Sequence, residues 1–220
     1  MTSTAEEKEL SERWHDLTAF MTEDVRGRWW RRLVDAYREP RRHYHTLRHL
    51  YHMFQFYDSY KDQLSDRYAT AFAIFFHDIV YDPTAADNES KSADLFKQFS
   101  QETTLDSVTH ITDLINATTS HCTDAHTTEG AYGAEDVHYI LDIDMAILGA
   151  TREEYDEYAL QIRREYGHLD DKKYSEQRSK VLSHFLKIPN IFATREFRDN
   201  YERRARDNIG AEIQRLATAP

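Results

Sequence analysis

Over most of its 220 residues this chain repeats its apolar side chains every three or four positions, and nowhere does it sustain the alternation that a strand needs. That spacing lays one apolar stripe along a helix, whereas a half-buried strand requires a period of two. Only six glycines and four prolines interrupt the pattern, which favours helices with short connections over sheets with many turns. The length is enough to close a substantial core. No repeat, linker or shift in composition marks a second domain, so a single all-α domain over residues 1–220 is expected.

The periodicity places the elements. Leu17, Phe20, Met21, Val25, Trp29, Leu33 and Tyr37 predict a helix over 14–37, broken near Gly27 and stopped by Pro40. Residues 1 to about 9 are expected to fray, with Ser11 as N-cap. A second helix covers 46–60, with Leu47, Leu50, Met53 or Phe54, and Tyr57 inward. Ser65 or Asp66 starts a third, whose run from Ala69 to Phe76 is apolar nearly all round and so belongs at the centre of the core. An irregular stretch around Pro83 precedes a helix capped by Asn88 and ending near Phe99. The next helix spans about 105–119, and 120–136 reads as an exposed polar loop. A short apolar element at 139–147 and helices at 152–166, 172–186 and 195–216 complete the chain.

Acidic residues outnumber lysine plus arginine by 39 to 28, a net charge of -11. A nucleic-acid polymer needs cations to neutralise its phosphates, so it is a poor partner for this chain. Arg38, Arg41, Arg42 and Arg48 form a local exception, read either as a solvated helix end or as a funnel for an anionic substrate. The single cysteine, Cys122, excludes an internal disulfide and fits a reducing compartment. The polar start MTSTAEEKELSERW has neither the apolar stretch of a secretory signal nor the basic character of a transit peptide. No segment approaches the roughly 20 apolar residues of a membrane span. A cytoplasmic protein without membrane partners is expected.

Five polar residues lie beside apolar runs: His45, His49, His77, Asp78 and Asp144. Imidazole and carboxylate together suit a divalent metal of intermediate hardness. His45 and His49, four residues apart, share a face if helical; histidines hydrogen-bonded within a core would give the same spacing. His77-Asp78 follows the apolar run FAIFF, where an unpaired buried carboxylate would cost several kcal/mol. A metal offsets that cost, and so does a salt bridge. Asp144 sits in ILDIDMAILG beside a competitor, Asp142; one of the two is expected to cap a helix or accept a hydrogen bond instead of ligating.

In order along the chain, YHTLRH, FFHDIVYDPTAADNESKSA, the ITDLINAT segment with its following histidine, DIDMAILG and RREYGHL resemble the HD-domain superfamily, in particular a small branch of predicted metal-dependent phosphohydrolases. The resemblance implies an HD-domain helical bundle with additional N- and C-terminal helices and a catalytic core at about 40–150. It assigns His49, His77, Asp78 and Asp144 as metal ligands and gives Asp78 the further task of orienting water. His45 matches the proton-donating histidine of related phosphodiesterases, although Thr46 stands where their motif has asparagine. Members with two metals carry further histidines; here His110 and His121 are available for a second metal or for phosphate, with His126 and His138 weaker matches. One Mn, Fe, Zn or Ni centre is expected, with Mg as a further option. Glu89 is a candidate for orienting a ligand histidine, against a role beside Asp82, Asp87 and Asn88 in turn and cap formation. Lys91 is a phosphate contact or a solvated surface lysine. Arg164 and Tyr166, with Arg163, Glu165 and His168, are substrate contacts or a structural cluster. The implied substrate is a small phosphate ester, a nucleotide among them, and the outer helices offer a homodimer surface. Two alternatives stand beside this reading: a di-iron oxygenase, which needs His110 and His121 as extra ligands, and a metal-stabilised helical binding protein without turnover.

Overall fold

The computed structural model describes residues 4–218, which form eleven α-helices and two 3₁₀ turns and no strand. Contacts divide the chain between Ser120 and His121 into two compact units, each with its own core. Among the described residues no helix is long and apolar enough to cross a membrane.

The first unit contains α1 (Ala5–Leu17), α2 (Glu23–Tyr37), α3 (Leu47–Tyr60), α4 (Arg67–Phe76), α5 (Asn88–Ser100) and α6 (Val108–Ala117). Every side chain of α4 from Ala69 to Phe76 is buried, so beyond its exposed first two residues this helix has no solvent face and its neighbours must surround it. α3, α5 and α6 pack on it directly. Phe72, Phe75 and Phe76 meet Trp14 of α1, Phe54 of α3 and Phe96 and Phe99 of α5 at ring-centroid separations of 4.8 to 6.3 Å. Several are edge-to-face contacts, each worth about 0.5–1.5 kcal/mol beyond the area it buries. Asp66 fixes the start of α4: one carboxylate oxygen accepts the Ala69 N–H at 2.8 Å, and the other accepts the Ser107 hydroxyl at 3.1 Å.

Several boundaries differ from the periodicity. The first helix begins at Ala5, not near Ser11, because Thr4 accepts the Glu7 N–H and the first turn is held down by a Glu7–Arg38 ion pair and the buried Leu10. The expected fraying of residues 1–3 lies outside the described residues. The break in the 14–37 helix falls at 18–22, with Gly27 inside α2. Thr18 closes α1 by donating its hydroxyl to the Trp14 carbonyl at 2.5 Å, while a mid-helix glycine costs only about 1 kcal/mol and does not by itself end a helix. Asn88 does not cap α5; Asp87 holds that position. Asn88 instead bonds both backbone groups of Asp82 at 2.9–3.0 Å and closes the turn around Pro83. The helix expected from about 105 starts at Val108, and the polar stretch 120–136 contains a short helix, α7 (Asp124–Thr127).

The second unit continues with α8 (Asp136–Met145), a 3₁₀ turn (Ala146–Gly149), α9 (Arg152–Glu165), α10 (Asp171–Lys187) and α11 (Arg195–Thr218). The 3₁₀ turn rests on α11. A Cβ on Gly149 would stand 2.6 Å from the Tyr201 Cβ, which only glycine avoids. Arg204 donates to the Gly149 carbonyl, and Asn208 donates to those of Leu148 and Ala150, so the carbonyls that follow α8 are satisfied by side chains of α11.

Phe99 meets five other rings in the first unit. Phe99→Ala is expected to cost about 3–5 kcal/mol of stability, measured as a lower urea midpoint with the helical circular-dichroism spectrum retained.

Candidate metal centre

The side chains that sequence analysis singled out come together first at the C-terminal end of α4. Leaving that helix, His77 occupies the C-cap and Asp78 follows it. His49 projects from the first turn of α3, which Thr46 opens as N-cap, and His45 lies in the segment before it. The His49 and His77 Nε2 atoms are 3.3 Å apart. Asp78 Oδ2 lies 3.1 Å from His77 Nε2 and 3.9 Å from both His49 Nε2 and His45 Nε2. His49 and His77 are buried, while Asp78 and His45 retain partial exposure.

The tautomer of His77 follows from its other nitrogen. Nδ1 stands 2.9 Å from the Ile74 carbonyl, which only accepts, so Nδ1 carries the hydrogen. In the neutral ring Nε2 then presents a lone pair to the Asp78 carboxylate. Two acceptors 3.1 Å apart in a shielded site repel unless a proton or a cation lies with them. Ligands about 2.1 Å from one ion stand about 3.0 Å apart at octahedral angles and about 3.4 Å at tetrahedral ones. Two of the separations among His49, His77 and Asp78, 3.3 and 3.1 Å, fall within that range and the third, 3.9 Å, lies above it, so these residues fit a divalent metal after a small adjustment of one side chain.

Arg42 fixes the segment that carries these groups, and sequence reading treated it only as part of a surface patch. Its side chain is fully buried. It donates to the carbonyls of His45, Asp78 and Ile79 at 3.3, 2.6 and 3.0 Å, and its guanidinium lies over the rings of Tyr37 and Tyr81. Tyr81 in turn stacks on His45, with centroids 4.3 Å apart and 31° between the planes. The other three arginines pair with carboxylates: Arg38 with Glu7, Arg41 with Glu39 and Asp82, and Arg48 with Glu6.

In the second unit Asp144 and His121 pair, Nε2 to Oδ2, at 2.7 Å. His121 has φ 48°, the one positive value outside glycine among the described residues, a left-handed conformation that a histidine holds only at a cost. Asp142 has a different task. Buried, it accepts from the Ala193 N–H, the Thr194 N–H and the Thr194 hydroxyl at 2.6–2.8 Å. Those donors lie immediately before α11, where a carboxylate also complements the helix dipole. Burial pushes its pKa up to about 7, against the pull of the Thr194 and Ala193 donors. Asp142 is thus the helix-anchoring member of the DIDM segment.

The remaining candidates divide. His126 and His138 accept backbone N–H groups in capping boxes that start α7 and α8, and a Cβ on Gly133 would overlap the His138 ring at 2.2 Å. His110 is exposed on α6. Lys91 pairs with Asp87 at 2.8 Å on the surface of α5. Glu89 is half-buried, and the oxygen that fixes the His77 tautomer is the Ile74 carbonyl. Arg164 is exposed and Glu165 buried. Arg163 ties the end of α9 to the start of α10 through the Tyr166 and Leu169 carbonyls and Asp171, and Tyr166 packs near Tyr174.

Comparison with models of protein families, with curated proteins and with solved structures finds no match to this chain.

Burial lowers the pKa of His126 to about 4, and its Nδ1 is already used as an acceptor from Thr123. Below the ordinary histidine pKa of 6.5 the unfolded chain therefore binds a proton that the folded chain refuses. Its contribution is complete above about pH 6.5 and is lost as pH falls toward 4, by up to about 3 kcal/mol. Denaturant titrations across that window should show a shallower loss for His126→Asn than for the wild type. Separately, Arg42→Ala should lower the melting temperature by several degrees, since it strands three carbonyls at once.

Proposed function

We propose that this chain is a metal-dependent phosphohydrolase of the HD type, acting on a small phosphate ester such as a nucleotide. One observation carries the reading: His77 Nε2, with its Nδ1 turned to the Ile74 carbonyl, faces the Asp78 carboxylate at 3.1 Å with His49 Nε2 beside both, a donor set that fits a cation. The ordered resemblance of the sequence supports it and supplies Asp144 as the further ligand. A bound divalent metal would lower the pKa of its water and polarise a phosphoryl oxygen.

The chain's own residues have distinct tasks in this proposal. His49, His77 and Asp144 hold the ion through nitrogen and carboxylate donors. Asp78 shares in that and, through its second oxygen, orients the attacking water. His45, against Tyr81 and 3.9 Å from Asp78, delivers a proton to the leaving oxygen. His121 donates to Asp144 and holds its orientation, which leaves the exposed His110 without a part. One ion per chain is therefore proposed over two, and phosphate-ester hydrolysis over di-iron oxygen chemistry.

The test is metal content after anaerobic purification, followed by a screen of phosphate esters and nucleotides. One equivalent of Mn, Fe, Zn or Ni with phosphate release is expected; two irons with oxygen uptake would favour the oxygenase, and a bound metal with no turnover the structural alternative. His49→Ala should lose the ion. His45→Ala should keep it while turnover falls about 10²–10⁴-fold, with a smaller loss on p-nitrophenyl esters, whose leaving group needs little protonation.

A further inference from the structure

A second polar cluster lies wholly within the second unit, away from the capping histidines. Tyr155 and Tyr158 stand one turn apart on α9, with centroids 5.6 Å apart. Tyr174 and Arg178 stand one turn apart on α10 and share a face. Glu212 of α11 is buried and accepts from Arg178 Nε at 2.9 Å, from its Nη2 at 3.3 Å and from the Tyr155 hydroxyl at 2.6 Å. Burial and Glu212 raise the Tyr155 pKa far above the usual range, so that hydroxyl stays a donor. One edge of the guanidinium is thereby clamped. The same group lies 5.3 Å from the Tyr158 ring and bonds the Tyr158 hydroxyl.

Two features separate this cluster from an ordinary buried ion pair. The Tyr174 hydroxyl is buried and has no hydrogen-bond partner among the described residues, although a buried hydroxyl left unmatched is costly and rarely retained without a use. Asp144 also lies within electrostatic reach of Tyr158. The cluster therefore shares the second unit, and an electrostatic influence, with the residue proposed as a metal ligand. It offers a fixed guanidinium and phenolic donors, the groups that recognise a phosphate oxygen.

We infer that Tyr158, Tyr174 and Arg178 form an oxyanion subsite that grips a phosphate group of the substrate, with Glu212 and Tyr155 holding the guanidinium in place. Glu212 sets the orientation of Arg178 so that little side-chain freedom is lost on binding. The Tyr174 hydroxyl, shielded in the free protein, finds its acceptor in the ligand. The inference rests on the proposed phosphohydrolase reading for the identity of the ligand, and on the α9–α10–α11 geometry for its residues.

The test uses the full chain and inorganic phosphate, titrated calorimetrically against both metal-loaded and chelator-stripped protein. Phosphate is expected to bind the stripped wild type, more weakly than the loaded form. Tyr174→Phe should weaken that binding about five- to tenfold, the scale of one hydrogen bond, with an unchanged or higher melting temperature because the lost hydroxyl had no partner. Arg178→Lys should weaken it further, about 30- to 100-fold, and neither substitution should change metal content. Phosphate affinity that survives both substitutions, or that vanishes from the stripped wild type, overturns the inference. If the wild type binds no metal, the phosphohydrolase reading falls, while phosphate binding by the stripped protein still decides the subsite by itself.

Discussion

A helix that is buried on every side beyond its first turn has to end somewhere, and the candidate metal residues stand where α4 ends. From Ala69 to Phe76 every side chain is buried, so the backbone emerges from the aromatic core directly into His77 and Asp78. The geometry of those two residues is inherited from the packing of Phe72, Phe75 and Phe76 against Trp14, Phe54, Phe96 and Phe99. An imidazole and a carboxylate placed at the end of so rigid an element lose little freedom when they take a ligand.

The exit is secured by hydrogen bonds to backbone rather than by further apolar packing. The Ile74 carbonyl fixes the His77 ring, Arg42 takes up the carbonyls of Asp78 and Ile79, and Ser92 and Asn88 satisfy the backbone of Val80 and Asp82. A buried arginine spent on carbonyls is uncommon, and here it does two things. It satisfies acceptors that irregular chain would leave unpaired, and it connects this segment to the His45 carbonyl, so the proposed acid and the proposed ligands share one anchor.

The second unit solves a related problem with carboxylates. Asp142 and Glu202 gather the backbone N–H groups at 191–194 that precede α11. Glu212 gathers Tyr155 and Arg178 further along that helix. Asp142 and Glu212 are buried acids matched by donors, the condition under which charge is tolerated inside a protein. Asp144, two residues beyond Asp142, faces instead a histidine held in a left-handed conformation. Two aspartates separated by a single residue on one helix thus have unlike work, one anchoring α11 and one pairing with His121.

The sequence by itself determined the helical class, most element boundaries and the identity of the polar residues around His77, because apolar spacing and the placement of charge beside apolar runs are local properties. It placed Thr46 at a helix start and offered Ser65 or Asp66 for the next, of which the structure uses Asp66, for the same reason. The break at Thr18 was hidden, since a side chain closing its own helix end leaves little trace in periodicity. The long-range pairings were equally out of reach. That Asp142 reaches residues 193 and 194, that Arg42 is buried under Tyr81, that His126 and His138 serve as caps, and that the Tyr174 hydroxyl lacks a partner depend on segments far apart in the chain. Spacing along a helix says which residues share a face, and only the packed structure decides what that face meets.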